Sequence, residues 1–166
     1  GQSEQALGNF EKAAALFTIL KNRQLGFTHY ILLAGLYGSA GYFEKTDSVA
    51  NEGIKFFKNQ QLKSPMAELN EARLQYFILG MRAKYKEAEP FIRRAITAAY
   101  AMRPYRYDIV KRQRFDLIWN LMVQNRYFEA ELEVRRTIDE TIEVFGTQSI
   151  HSLEGMALLS QVLLGQ

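Results

Sequence analysis

Apolar positions recur at helical spacing along most of the chain. Tyr30, Leu33, Ala34 and Tyr37 fall at i, i+3, i+4 and i+7, one stripe of a helix. Gly38–Gly41 supplies turn residues, and a second stripe follows: Phe43, Val49, Ala50, Ile54 and Phe57. Ser64-Pro65 predicts a helix start, with Ser as N-cap and Pro at the first helical position. Ala72, Tyr76 and Leu79 form the next inward stripe. Tyr85–Met102 is a return helix, with Pro90 within about its first turn, where a missing N–H costs least. Arg103–Tyr107, containing Pro104, breaks that helix. Asp108 is expected to cap the next one, whose stripe is Leu117, Ile118 and Leu121. Tyr127–Val144 returns and Phe145-Gly146 ends it. Ser149 is expected to cap a last helix, with Met156, Leu159 and Leu163 in line. No stretch alternates like a strand. The pattern predicts seven or eight helices, with residues 1–7 as the tail of an incomplete one. Lys58–Lys63 either extends the second helix or forms a loop.

The helices repeat as blocks. Lys84–Ile96, KYKEAEPFIRRAI, returns 42 residues later as Arg126–Ile138, RYFEAELEVRRTI, with seven identities in thirteen ungapped columns. Gly8-Asn9-Phe10-Glu11-Lys12-Ala13 and Gly41-Tyr42-Phe43-Glu44-Lys45-Thr46 have the same shape. The aligned aromatics Phe10, Phe43, Tyr85 and Tyr127 are spaced by 33, 42 and 42. A period of this size means stacked two-helix units, none of which buries its apolar face alone. The expected units are 1–24, 25–63, 64–103, 104–146 and a partial 147–166. Because the pattern starts and stops mid-unit, the chain is expected to be a piece of a longer array.

Composition narrows the function classes. Hydrophobic content of 48% with 23% charged residues is ordinary for a soluble globular chain. A net charge of +3 is too small to imply a polyanionic partner. With no Cys there is no disulfide framework and no thiolate ligand or nucleophile, which favours a cytoplasmic setting. The longest run without formal charge, Gln24–Phe43, holds His29, Ser39 and four glycines, and is expected to be packed helix rather than a membrane span. No catalytic set, phosphate-binding Gly loop or metal-ligand spacing is found. His29 and His151 stand far apart and are expected at the surface or a cap. The chain is therefore expected to be non-enzymatic, with no cofactor and no metal.

The blocks resemble the tetratricopeptide repeat, whose turn and second-helix start carry Gly-x-Tyr/Phe-x-x-Ala. The matches are Gly8/Phe10/Ala13, Gly41/Phe43/Thr46, Tyr85/Ala88 and Tyr127/Ala130, with Ala83 and Asn125 in place of the turn Gly. The closing small residue is Ala95, with Leu20, Gly53 and Thr137 elsewhere. The common repeat is 34 residues, and the 42-residue spacing resembles the lengthened repeats of kinesin light chains and bacterial signalling proteins. The resemblance implies an all-α, right-handed superhelical solenoid of antiparallel helix pairs. It implies that Ala88 and Ala130 lie where paired helices approach, where a larger side chain would overpack by about 1–3 kcal/mol. It also implies that Tyr85 and Tyr127 plug the space between units.

In such arrays the first helices line a concave groove. The groove-facing set would be Ile31, Leu32 and Gly35, then Arg73, Leu74 and Phe77, then Arg112, Phe115, Asp116 and Trp119, then Leu158 and Gln161. Arg73, Phe77, Arg112, Phe115, Asp116 and Trp119 are the candidate partner-binding residues, since aromatic and Arg side chains anchor interfaces. The competing reading makes Phe77 and Trp119 core. Arg103, Arg106, Lys111, Arg112 and Arg114, interleaved with Tyr100, Tyr105 and Tyr107, suit recognition of phosphate or an acidic peptide. Five charges offset by Asp108 and Asp116 fall short of nucleic-acid binding, and a solvated inter-unit loop is the first expectation. Glu89 with Arg93 and Glu131 with Arg135 are expected as surface i, i+4 ion pairs.

The resulting expectation is a protein–protein interaction scaffold holding a peptide segment or partner domain. One alternative is a regulatory arm of a larger bacterial signalling protein, such as a transcription activator or protease. Another is an array that self-associates through uncapped ends, where Leu158, Leu163 and Leu164 would be partly bare.

Overall fold

The computed structural model describes residues 4–6, 8–9, 11–12, 15–16, 23–59 and 64–166. The first four of these stretches are helical. Phe10, Ala13, Leu20 and the junction 60–63 lie outside the described residues. The complete helices are α1 (Arg23–Ser39), α2 (Phe43–Lys58), α3 (Pro65–Met81), α4 (Tyr85–Tyr100), α5 (Tyr107–Val123), α6 (Tyr127–Phe145) and α7 (Ile150–Leu164). Among the described residues there is no strand, and no helix is long and apolar enough to cross a membrane. The fold is all-α, and the helices pack against one another. Two compact units divide the chain, Gly1–Ala83 and Lys84–Gln166.

The helix starts follow local chemistry. Ser64 caps α3 by accepting the Ala67 amide at 3.1 Å, with Pro65 as first helical residue. Ser149 caps α7 by accepting the Ser152 amide at 3.1 Å. Gly146 closes α6 with φ of 83°, a conformation open to Gly at little cost. One expectation fails. Asp108 lies inside the first turn of α5, which begins at Tyr107, and its carboxylate pairs with Arg106 instead of capping. Pro90 is the sixth residue of α4, just past its first turn. It leaves the helix without one backbone donor, yet the helix continues.

The 42-residue period is written in the backbone. Gly41, Ala83 and Asn125, each 42 apart, all have positive φ, at 80°, 55° and 58°. In each turn the positive-φ residue donates its amide three residues back, to Gly38, Gly80 and Met122, at 3.1, 3.0 and 2.9 Å. The next helix then starts two residues on, at Phe43, Tyr85 and Tyr127. Tyr85 and Tyr127 are both half-buried. Phe43 differs and is 61% exposed.

In the first unit, Ala34, Ala50, Phe57, Ala67, Leu74 and Ile78 form the core, with Tyr30, Ile54 and Phe77 packed on it. Gly53 lets α2 approach its neighbours, because a Cβ there would lie 2.6 Å from Leu74 Cδ1 and 2.8 Å from Tyr30 Cβ. In the second unit, Val110, Leu117, Ile118 and Leu121 of α5 and Ala130 and Val134 of α6 are fully buried. The buried face of α7 is Ser152, Gly155, Leu158 and Val162. The expected stripe Met156, Leu159, Leu163 is instead half or fully exposed. The small residues decide this: a Cβ on Gly155 would sit 2.7 Å from Ile138 Cγ1, so α7 comes close to α6 only on that side.

Ala83 occupies a left-handed conformation that disfavours any Cβ. Ala83→Gly is expected to raise the unfolding free energy by up to about 1 kcal/mol. Thermal denaturation checks this; an unchanged or lower midpoint would show that the turn is not strained.

Candidate partner-binding faces

α5 is buried along most of its circumference. One strip remains open, running through Arg112, Phe115, Asp116 and Trp119 at spacings of three, four and seven residues. Arg112 is exposed, Phe115 and Asp116 are half-buried, and Trp119 is 53% exposed. Trp119 is therefore not a core residue. Lys111 Nζ lies 5.6 Å from the Phe115 ring centroid, which fixes the edge of the strip. These four candidates share one face of one helix.

Arg73 and Phe77 belong to α3, in the first unit. Both are half-buried, and Phe77 leans on the core and on Gly38. Leu74, expected in the same groove set, is buried core. Leu32 is exposed, and Ile31 packs against the core. A Cβ on Gly35 would meet open space. On α7, Gln161 is exposed, but Leu158 is buried, contrary to its expected place in the groove or at a bare end. Leu163 is exposed as expected, and Leu164 is 88% exposed.

The basic run begins in an exposed loop, 101–106, as expected, and continues into α5. Arg106 pairs bidentately with Asp108 at 2.9 and 2.7 Å. Arg103 donates to the carbonyls of Tyr100 and Met102. Lys111 pairs with Glu154 and meets His151 Nδ1 at 3.0 Å. His151, in the first turn of α7 near its cap as expected, is half-buried and links α5 to α7, its ring tilted at 45° to Phe145 with centroids 4.4 Å apart. Arg114 is buried, with 2% of its side chain exposed. Its Nη2 donates to Tyr100 Oη at 2.8 Å and Glu140 Oε1 at 2.9 Å. Sequence counting placed Arg114 with the surface charges. Its position three residues before Leu117 and seven before Leu121 put it on the inward stripe, and that was the signal available. With the other four charges so engaged, Arg112 is what the run offers to an acidic partner.

The repeated ion pairs form as expected: Arg93 to Glu89 at 2.9 Å and Arg135 to Glu131 at 2.7 Å. Arg126, in the turn before α6, also reaches Glu89 and Glu129. Burial pushes the Glu89 carboxyl up, but hydrogen bonds from Arg126 and Arg93 outweigh it and hold it below the usual range. A hydrogen bond from Lys111 likewise lowers Glu154, against a smaller effect of burial.

No family model matches the chain, and no curated protein matches it. Among solved structures it is similar to BtubC (BKLC) from P. vanneervenii, at 15% identity and a TM-score of 0.79. The match covers 99% of this chain and 66% of that one, so the chain spans just under two thirds of that protein's length. At this identity the likeness shows the all-helical fold alone.

A carboxyl with a folded pKa below its unfolded value adds stability above the unfolded pKa, and loses it as pH falls through the folded one. Acid should therefore weaken the second unit as Glu89 and Glu154 protonate. Arg126→Gln is expected to move the Glu89 pKa upward and shift this loss to higher pH. Carboxyl-detected NMR titration reads it directly; an unmoved Glu89 would mean that Arg126 does not hold it.

Proposed function

We propose that the chain is an array of tetratricopeptide-like helix pairs that binds a protein or peptide without catalysing a reaction. The observation that carries this reading is Trp119. A large aromatic with half its surface in water is costly to leave bare and is a common energetic centre of interfaces. Arg112 on the same strip supplies a planar donor fork for a backbone carbonyl or carboxylate. Phe115 and Asp116 complete a face with apolar, cationic and acidic groups in a row. The matching of turns at 42-residue intervals supports the repeat assignment, and repeat arrays present such faces on successive first helices. Arg73 and Phe77 form the corresponding, smaller face of the first unit.

The test is a peptide-array screen with the wild-type chain, followed by Trp119→Ala and Arg112→Ala. Both residues are exposed, so both variants should keep the wild-type melting behaviour. Trp119→Ala is expected to weaken peptide binding by about thirtyfold, the usual loss at an interface anchor. Binding indifferent to both substitutions would remove the α5 strip as the site.

A further inference from the structure

A second site lies away from the α5 strip. Between α4 and α6, over the buried side of α5, a pocket of ≈ 220 Å³ opens to solvent. Its polar walls are Arg93, Thr97 and Tyr100 from α4, Arg114 from α5, and Glu133 and Arg136 from α6. Three guanidinium groups thus line the pocket with Glu133, while Glu89 and Glu140 pair with them from just outside it. All of these residues belong to the second unit.

Arg114 is the telling one. It is 2% exposed, yet its Nη1 is buried and makes no hydrogen bond. The nitrogen lies 3.5 Å from Glu133 Oε2, beside another wall of the pocket. A buried guanidinium N–H with only this long ion-pair contact and no hydrogen bond is unusual and has room for a closer acceptor. Tyr100 cannot serve, because its hydroxyl already accepts from Arg114 Nε and Nη2 and donates to Glu140. The other two arginines also have donors to spare. Arg93 spends Nε and Nη2 on Glu89, while Nη1 comes no nearer to Glu133 than 3.8 Å. Arg136 is 65% exposed and touches Glu140 only through Nε, at 3.4 Å.

We infer that this pocket binds a phosphate group. The volume falls below that of an ordinary metabolite site, roughly 300–1,000 Å³, and suits a single oxyanion. Arginine forks match phosphate oxygens in geometry. Glu89, Glu133 and Glu140 balance the three cations at rest, so a ligand must draw Arg93 and Arg136 off their carboxylates, which a phosphate with several acceptor oxygens does better than a single carboxylate. Arg114 forms the fixed floor, held by Tyr100 and Glu140. Arg93 and Arg136 are the rim, able to swing from their present carboxylates onto the ligand. Glu133 opposes binding and sets its strength.

The experiment titrates the full chain, at constant ionic strength in chloride, with inorganic phosphate, a short phosphoserine peptide, and acetate. Calorimetry and thermal shift read the binding. Saturable binding of phosphate, with acetate much weaker, is expected. A tighter peptide arm would assign the group to a phosphorylated side chain, and equal arms would assign it to the free anion. Arg93→Gln and Arg136→Gln alter exposed rim residues, so they should fold, and each is expected to weaken phosphate by about tenfold, the loss of one charge-assisted hydrogen bond. Glu133→Gln should strengthen it. Arg135→Gln, outside the pocket, should leave it unchanged. The proposal is overturned if neither phosphate probe saturates, or if the rim variants and Arg135→Gln behave alike.

Discussion

Paired helices come only as close as the bulkiest residue on their contact face allows. In this chain that limit is set by two columns of small side chains. Thr46, Ala88 and Ala130 form one, and Gly53, Ala95 and Thr137 form the other; members of each column are 42 residues apart and all are buried. Close approach brings more apolar surface out of water and tightens dispersion contacts. It also excludes larger residues, because packed interiors yield little to added volume. Helix spacing, core composition and the directions of the remaining side chains follow from it.

Another column at the same spacing carries different chemistry in the two units. At 30, 72 and 114 the residues are Tyr, Ala and Arg. The first unit closes on an apolar core around Phe57 and Leu74. The second contains a polar seam. Tyr107 donates toward the Thr137 carbonyl at 3.0 Å and meets Thr141 Oγ1 at 2.7 Å, while Arg114 binds Tyr100 and Glu140. A buried ion pair adds little net stability compared with apolar packing, but losing one partner is costly. Arg114 therefore ties three helices to one register, and leaves a charged donor at the floor of a pocket.

Much of this was legible because the period acts on backbone as well as side chains. Turn residues, the caps Ser64 and Ser149, and the stripe of Leu117, Ile118 and Leu121 all depend on local rules. The substitution of Ala83 and Asn125 for Gly hid no turn, since neighbouring columns kept the alignment. The misses have separate causes. α7 is apolar on every side, so periodicity could not choose its inward face; only Ser152 and Gly155 mark it. Arg114 was read by its charge rather than by its place beside Leu117. The exposure of Trp119 depended on a register that a shift of one residue would reverse. The phosphate pocket draws on three helices distant in sequence, and no local pattern announces it.

The most direct check pairs one substitution at two glycines of the first unit. Gly53→Ala places a methyl against Leu74 and Tyr30, whereas Gly35→Ala places one in open space. Equilibrium unfolding should show opposite signs. Gly35→Ala should stabilise by about 0.5–1 kcal/mol through lost chain entropy. Gly53→Ala should destabilise, as overpacking of about 1–3 kcal/mol exceeds that gain. If both substitutions stabilise alike, helix approach does not depend on the small-residue columns, and the account fails.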